Sequence, residues 1–116
     1  MTEINKDLIE TAFENGYDSS NEKEVEKNVN LTIEALNTGS IRVSEKSENN
    51  WVVNQWIKKA ILLSFKFKKN QLINTGYTKF YDKLQSRAVN VSEEYHEKKN
   101  IRIVPQAIAR EGTFIG

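Results

Sequence analysis

Residues 54–65 read Asn-Gln-Trp-Ile-Lys-Lys-Ala-Ile-Leu-Leu-Ser-Phe, and this stretch predicts the central helix of the fold. Its apolar residues recur at intervals of three and four, which places them on one broad face of a helix. Asn54 is predicted as the N-cap, and Lys58, Lys59 and Lys66 are predicted to stay outside. The inward face is predicted to consist of Trp56, Ile57, Ala60, Ile61, Leu63 and Ser64.

Two further amphipathic helices are predicted before this one. The first ends near Gly16 and carries an apolar stripe of Ile4, Leu8, Ile9, Ala12 and Phe13. The second starts after the polar residues 18–21, which offer several possible N-caps with Ser20 favoured. It stops at Gly39, because glycine readily adopts the left-handed backbone that ends a helix. Its stripe consists of Val25, Val29, Ile33 and Leu36. The connection between the two helices is short, so they are predicted to run antiparallel.

Extended structure is predicted next to the central helix. Ile41–Lys46 can form a strand that buries Ile41 and Val43 on one face, and residues 51–53 can return beside it after a polar turn. Residues 68–90 are predicted to be irregular, because Asn and Gly interrupt short apolar pieces there.

The last part of the chain is predicted to hold a short helix and a strand. Ser92 is a plausible cap for a charged helix that runs through Lys99, and residues 101–104 are predicted as a strand that Pro105 stops. Together the elements predict a small α+β domain with a helical front and a minor β-hairpin.

Length and charge indicate one domain and leave its partners open. A chain of 116 residues with 38% hydrophobic and 28% charged residues is typical of one globular domain, and its net charge of +1 favours neither nucleic acid nor a membrane as partner. Residues 1–50 contain five Lys/Arg and eleven Asp/Glu, whereas residues 51–116 contain twelve and five. We interpret this split as two halves that face each other or a neighbouring subunit, with an anionic ligand at the basic half as the alternative.

Several classes of site and location are disfavoured by the sequence. There is no cysteine, which excludes disulfides and thiolate chemistry within the chain. The polar amino terminus is unlike a secretory signal, and the apolar cluster at residues 60–63 is far shorter than the roughly 20 residues of a membrane helix. A cytoplasmic location is therefore expected.

The motif search yields no catalytic residue and no metal site. The five glycines are scattered, so no phosphate-binding loop is formed. His96 is the only histidine and is interpreted as a surface residue, since a metal ion needs several converging ligands. The neighbouring Glu93, Glu94 and Glu97 are interpreted as surface carboxylates rather than acid–base groups.

Two aromatic residues and one arginine allow both a structural and a binding interpretation. Trp51 and Trp56 could stack on nucleotide bases, but their apolar neighbours favour core packing. Arg102 lies between Ile101 and Ile103, and its planar guanidinium is suited to gripping a carboxylate through two N–H groups. On physical grounds alone a surface ion pair is the favoured role for Arg102, and carboxylate binding is the alternative.

Two segments resemble the amino-terminal domain of bacterial tetrahydrodipicolinate N-succinyltransferases. The first comprises residues 36–46, Leu-Asn-Thr-Gly-Ser-Ile-Arg-Val-Ser-Glu-Lys, and residues 51–65, Trp-Val-Val-Asn-Gln-Trp-Ile-Lys-Lys-Ala-Ile-Leu-Leu-Ser-Phe. The second is residues 101–115, Ile-Arg-Ile-Val-Pro-Gln-Ala-Ile-Ala-Arg-Glu-Gly-Thr-Phe-Ile, which is similar to that family's passage into a left-handed parallel β-helix. Residues 8–13 also resemble the family's first helix.

The resemblance implies an acyltransferase of lysine and diaminopimelate biosynthesis. Family members transfer succinyl from succinyl-CoA to the amine of ring-opened tetrahydrodipicolinate, work as cytoplasmic homotrimers, and need no cofactor besides this co-substrate. It implies a substrate-binding role for Arg102, and Arg110 is a weaker candidate whose other possible role is to cap the β-helix. Residues 1–100 are then the amino-terminal α+β domain, and residues 101–116 are the connecting strand and the truncated start of the β-helix.

The same resemblance implies that the catalytic aspartate and the CoA-binding surface lie outside this stretch, which is expected to be inactive alone. The alternative function is a stand-alone, non-catalytic domain for binding or subunit assembly, which the charge split suggests. A nucleic-acid module is a third and more distant alternative, since it would need exposed aromatic residues beside a basic stripe.

Overall fold

The computed structural model describes residues 3–76, 78–86 and 91–116. Within these ranges the chain forms four helices and two small antiparallel sheets, so the predicted α+β class is confirmed. The helices are α1 (Lys6–Asn15), α2 (Glu22–Thr38), α3 (Gln55–Phe67) and α4 (Glu93–Lys99). The first sheet pairs β1 (Ser44–Ser47) with β2 (Asn50–Val53), and the second pairs β3 (Gln71–Asn74) with β4 (Lys79–Asp82).

The core is the space between the first three helices, each of which packs against the other two. α3 buries Ile57, Ala60, Leu63 and Ser64, which belong to the inward face predicted from the spacing. The predicted stripes of α1 and α2 also face this core, except that Phe13 is 39% exposed and Ile33 is only half-buried. The buried cluster consists of Ile9, Ala12, Val25, Val29, Ala60 and Leu63.

Asn28 and Thr32 are buried polar residues on α2, and Asn28 connects this helix to the start of α1. The side-chain oxygen of Asn28 accepts from the backbone N–H of Asn5 at 2.7 Å, and its amide donates to the carbonyl of Glu24 at 2.9 Å. The Thr32 hydroxyl donates to the carbonyl of Asn28 at 2.8 Å. Buried polar groups are tolerated because these bonds satisfy them. Because both residues are polar, they do not belong to the apolar pattern, and the sequence prediction missed their burial.

The helix ends agree with the sequence except at the start of α2. The N-cap is Asn21 rather than Ser20, whose hydroxyl instead bonds the carboxylate of Asp18 at 2.5 Å. The side-chain oxygen of Asn21 accepts from the backbone N–H of Asp18 in the preceding turn. The side chains of Ser20 and Asn21 therefore bond within this turn and do not cap the first turn of α2. Gly39 ends α2 with φ +76°, and Ser92 caps α4 by accepting from the N–H of Tyr95, as predicted.

Lys59 lies between α3 and α1 instead of pointing outward as predicted. Its ammonium contacts the carboxylates of Glu10 at 3.1 Å and Glu14 at 2.9 Å, and only 21% of the side chain is exposed. The hydrogen bond to Glu14, followed by that to Glu10, raises the pKa of Lys59 above its usual value. The helix spacing placed Lys59 at the edge of the buried face, where a long side chain can reach a neighbouring helix. This contact joins the acidic and basic halves of the chain.

The first hairpin is confirmed, but the predicted burial of its residues is not. β1 begins at Ser44 and pairs Lys46 with Trp51, so Ile41 and Val43 lie before the strand. Within the described ranges neither strand packs against a helix, and Trp51 is 71% exposed. The prediction of Trp51 as a core residue is therefore wrong, whereas Trp56 packs beside the core.

Two predictions for the second half of the chain are also wrong. Residues 71–74 and 79–82 form a second hairpin inside the stretch that was predicted to be irregular, although positions 77 and 87–90 of that stretch lie outside the described residues. Asn74 and Gly76 provide its turn, where the side chain of Asn74 accepts from the Gly76 N–H at 3.0 Å. Residues 101–104 belong to no strand, because no described segment provides the ladder of hydrogen bonds that a strand requires.

Leu63→Ala is expected to lower the free energy of unfolding by about 2 to 5 kcal/mol, because it opens a cavity in the three-helix core. Leu62→Ala is the matched control, since Leu62 is 51% exposed and Leu63 is fully buried. The control is expected to change stability by less than about 0.5 kcal/mol. Urea denaturation followed by circular dichroism measures both, and equal losses would contradict the described orientation of α3.

Candidate functional site

Residues 111–114 hold the end of the chain against the carboxyl end of α2. The backbone N–H of Gly112 donates to the side-chain oxygen of Asn37 at 2.6 Å. The ring of Phe114 lies directly on Gly39, where an added Cβ would come within 2.9 Å of two ring carbons. The guanidinium of Arg42 covers the same ring, 4.8 Å from its centroid. A cation above an aromatic face is attracted by the ring quadrupole.

An ion pair connects the same segment to the end of α3. The ammonium of Lys68 contacts the carboxylate of Glu111, and both side chains are about three-quarters buried. With the contacts of Gly112 and Phe114, this pair forms what we call the tail clamp: Asn37, Gly39, Arg42, Lys68, Glu111, Gly112 and Phe114. The clamp fixes the segment that directly follows Arg110, so the carboxyl-terminal part of the chain is positioned by the helical front.

Arg110 pairs with the second hairpin. Its Nη2 donates to Oδ2 of Asp82 at 2.7 Å, and its backbone forms an isolated antiparallel bridge with Ser86. The backbone N–H of Lys83, followed by the guanidinium of Arg110, holds the pKa of the Asp82 carboxyl below its usual value. The pair is therefore charged at neutral pH. Half of the Arg110 side chain remains exposed.

A cleft of about 380 Å³ lies between the second hairpin and residues 106–110. Its apolar lining includes Ile73 and Phe80, which are paired in the register of β3 and β4, together with Leu84 and Ile108. The Asp82–Arg110 pair provides charged groups in this lining. This volume lies within the roughly 300 to 1,000 Å³ of typical small-molecule pockets. The sequence prediction missed the cleft, because one of its walls is the hairpin that was not predicted.

Arg102, the main site residue predicted from the sequence, lies apart from this cleft. Its side chain is exposed, and it does not belong to the cleft lining. Among the residues that the structure describes, no carboxylate lies within ion-pair distance of Arg102, so the surface ion pair favoured on physical grounds is not observed. The structure thus places Arg110 in a cleft and leaves Arg102 on the surface.

The charged residues of α4 form no cluster that could hold a metal. Nδ1 of His96 lies 2.9 Å from the carbonyl of Ser92, and Glu94 pairs with Lys98 at 2.6 Å. Across residues 3–76, 78–86 and 91–116, no three His, Asp or Glu side chains converge as metal ligands would. No helix in these same ranges is long and apolar enough to cross a membrane.

Comparison with known proteins assigns the chain to a family. The family model described as "Tetrahydrodipicolinate N-succinyltransferase N-terminal" matches residues 5–67, which comprise α1, α2, the first hairpin and α3. That range is more than half of the chain. The chain belongs to the tetrahydrodipicolinate N-succinyltransferase family. The resemblance inferred from the sequence is thereby confirmed.

Similar family members extend the match to the remaining residues. Proteins named 2,3,4,5-tetrahydropyridine-2,6-dicarboxylate N-succinyltransferase from Legionella pneumophila (strain Paris) and Psychrobacter sp. are 41% and 42% identical, over 95% and 93% of this chain. A protein of the same name from Polynucleobacter asymbioticus is 41% identical over all of it. The aligned regions cover 41%, 41% and 44% of these relatives, so the chain spans about two-fifths of their length.

Gly39→Ala is expected to destabilise this family member by disturbing the tail clamp. An alanine at φ +76° costs about 1 to 2 kcal/mol, and its Cβ would also collide with the ring of Phe114. Gly76→Ala is the control, since φ is +96° there and no heavy atom lies within 4 Å of the added Cβ. Urea denaturation of both variants is expected to show the larger loss at Gly39.

A double-mutant cycle isolates the contact with Phe114. In a Phe114→Ala background the ring is gone, so Gly39→Ala is expected to cost only about as much as Gly76→Ala. If Gly39→Ala costs the same with and without the ring, Phe114 does not lie on Gly39.

Proposed function

We propose that this chain serves as the amino-terminal part of an enzyme that transfers succinyl from succinyl-CoA to ring-opened tetrahydrodipicolinate. The observation that supports this proposal is the identity of about 41% to enzymes of that name over 95% or more of the chain. The reaction belongs to lysine and diaminopimelate biosynthesis. A neutral amine attacks the thioester carbonyl, and CoA leaves as the thiol.

This reaction requires groups that the chain and the remainder of such an enzyme would share. A base must take the proton of the amine, donors must stabilise the oxyanion, and cations must hold the carboxylates of the acceptor. We assign only the last of these roles to this chain. The catalytic aspartate and the CoA-binding surface of the family are proposed to lie in a left-handed parallel β-helix that residues 101–116 lead into.

Arg102 is the residue that we propose binds a carboxylate of the acceptor. The guanidinium is exposed and has no ion-pair partner among the described residues, so its donors are accessible to a substrate. A planar fork of N–H groups matches the two oxygens of a carboxylate, and the name of the relatives describes a dicarboxylate acceptor. The tail clamp holds the chain from Glu111 onwards, nine residues after Arg102.

Arg110 is the second candidate for acceptor binding. Its pairing with Asp82 at 2.7 Å uses one N–H group and places a negative charge beside the guanidinium. That arrangement makes Arg110 less suited than Arg102 to hold a dicarboxylate. The possible role of Arg110 as a cap of the β-helix stays a prediction.

We further propose that the working enzyme is a cytoplasmic homotrimer, as the family resemblance implies. Large apolar side chains on both hairpins support contacts with other protein surfaces, since Trp51, Leu72 and Tyr81 are each about two-thirds or more exposed. Exposed apolar patches commonly mark interaction sites. The same observation also suits the alternative function, a non-catalytic domain for binding or assembly.

The proposed activity is tested by assaying the full-length native gene product for release of the CoA thiol. Thiol release is expected to need both succinyl-CoA and the acceptor, and it can be followed with a thiol-reactive chromophore. Thiol release that does not depend on the acceptor would indicate a hydrolase. A native polypeptide of 13.4 kDa that transfers nothing would instead favour the alternative of a binding or assembly domain.

Arg102→Ala in the active enzyme is expected to raise KM for the acceptor at least about 30-fold, because losing a charged bidentate contact costs about 2 to 5 kcal/mol when the complex buries it. KM for succinyl-CoA is expected to stay the same. Arg102→Lys keeps the charge without the fork and is expected to show an intermediate loss. Unchanged acceptor KM in Arg102→Ala would remove the proposed role.

A further inference from the structure

We infer that one face of the first hairpin docks the part of the polypeptide that directly follows Gly116 in the complete protein. This face, which we call the outer hairpin face, consists of Ser44, Lys46, Trp51 and Val53. The inference rests on the proposed function, in which residues 101–116 lead into a further part of the enzyme. It also refines that proposal, because it assigns the exposed apolar side chains of this face to a contact within one polypeptide.

The register of the first hairpin defines the outer hairpin face. Trp51 and Val53 lie on the same side of β2, because alternate residues of a strand point to the same side. Their side chains are 71% and 45% exposed, so the face presents an indole next to a branched aliphatic group. Val52 lies between them in sequence and points to the opposite face, where it is paired with Glu45. The two faces of one hairpin can therefore be tested separately.

A hairpin of two strands requires a further layer to be stable. Two strands alone are at best marginally stable in water and become stable when a helix or more strands pack against them. Within residues 3–76, 78–86 and 91–116, neither β1 nor β2 packs against a helix or against the second sheet. Burial of an aromatic side chain such as Trp51 removes about 150 to 250 Å² of surface from water. A covering segment would therefore stabilise this hairpin through its apolar side chains.

Arg42 connects the outer hairpin face to the end of the chain. The backbone N–H of Asn54 donates to the carbonyl of Val43 at 2.7 Å, so the pairing continues by one residue beyond the strands. Alternation along this extended pairing places Arg42 on the same side as the outer hairpin face. Its guanidinium lies 4.8 Å from the centroid of the Phe114 ring. A Cβ added at Gly116 would lie 3.8 Å from that ring, so the last residues lie beside the base of this face.

The end of the chain is close enough for the following segment to cover the whole face. Lys46, which is paired with Trp51, is four residues from Arg42, or roughly 13 Å at about 3.3 Å per residue. About five extended residues after Gly116 therefore span the distance from the Phe114 ring to the level of Trp51. A segment tethered in this way has a high local concentration at the face, which a second copy of the chain lacks. We therefore assign the face to the same polypeptide.

The test is photo-crosslinking of the full-length protein with p-benzoylphenylalanine in place of Trp51. The cross-linked product is expected to have the mass of a single polypeptide on a denaturing gel. Peptide mass spectrometry is expected to find the attachment in the segment that follows Gly116. A product of twice that mass, which indicates a second copy, or attachment only within residues 1–116 would each overturn the inference.

The matched control carries the same photoreactive group in place of Val52. This position belongs to the opposite face of the same strand, so its cross-linking to the segment after Gly116 is expected to be at least roughly fivefold weaker than from position 51. Equal yields from the two positions would contradict docking on the outer hairpin face.

Hydroxyl-radical footprinting tests the same face in the full-length protein without any substitution. Trp56 packs beside the helical core and is an internal standard of the same residue type. Trp51 is expected to be oxidised no faster than Trp56, because the docked segment covers its ring. Faster oxidation of Trp51, as its 71% exposure within this chain would allow, would overturn the inference.

The thiol-release assay separates this inference from the proposed function. A full-length protein that forms the expected cross-link but releases no CoA thiol would overturn the proposed activity and support the docking. An enzyme that releases the thiol but forms the cross-link with a second copy would overturn the docking alone.

Discussion

The burial of one face of α3 between α1 and α2 is the interaction on which the rest of the structure depends. Ile57, Ala60 and Leu63 are fully buried there, and each large side chain contributes roughly 1.5 to 3 kcal/mol by leaving water. Because α3 is central, its two ends determine where the two hairpins are attached to the helices. β2 leads into its amino end, and β3 follows its carboxyl end after three residues.

The helical front in turn determines where the carboxyl-terminal part of the chain lies. The tail clamp combines a glycine that admits an aromatic ring, a cation over that ring, a backbone hydrogen bond from Gly112 to Asn37, and an ion pair to Lys68. These contacts join residues far apart in sequence, so the two segments cannot move independently. In an enzyme of this family, the clamp would hold residues 111–114 against the helices.

The three helices and the two hairpins differ in how far their apolar side chains are buried. The three helices bury their apolar faces against one another, whereas both hairpins leave large apolar side chains in water. Pairing between two strands satisfies their shared backbone groups but covers neither face, so a hairpin needs another layer to bury its side chains. The proposed homotrimer contacts are one way in which parts of these faces would become covered.

The sequence by itself determined the elements that depend on neighbouring residues. Apolar spacing gave α1, α2 and α3, the left-handed glycine ended α2, and Ser92 capped α4, because each signal acts within a few residues. The family also followed from the sequence, since residues 36–65 and 101–115 carry its pattern and the family model matches residues 5–67. Burial at the hairpins could not be predicted from neighbouring residues. Trp51 has apolar neighbours in sequence, but no described helix or second sheet packs against its strand.

Only the tertiary structure decided which distant residues meet. Arg110 opposite Asp82, Lys59 between two glutamates, and Phe114 on Gly39 all join segments at least 28 residues apart. Residues 101–104 have the composition of a strand but no strand beside them, since a ladder requires a partner that local sequence cannot specify. Local propensity therefore fixed the helices and their ends, while the cleft and the clamp arose from long-range packing, for which one sequence without its fold carries no distance information.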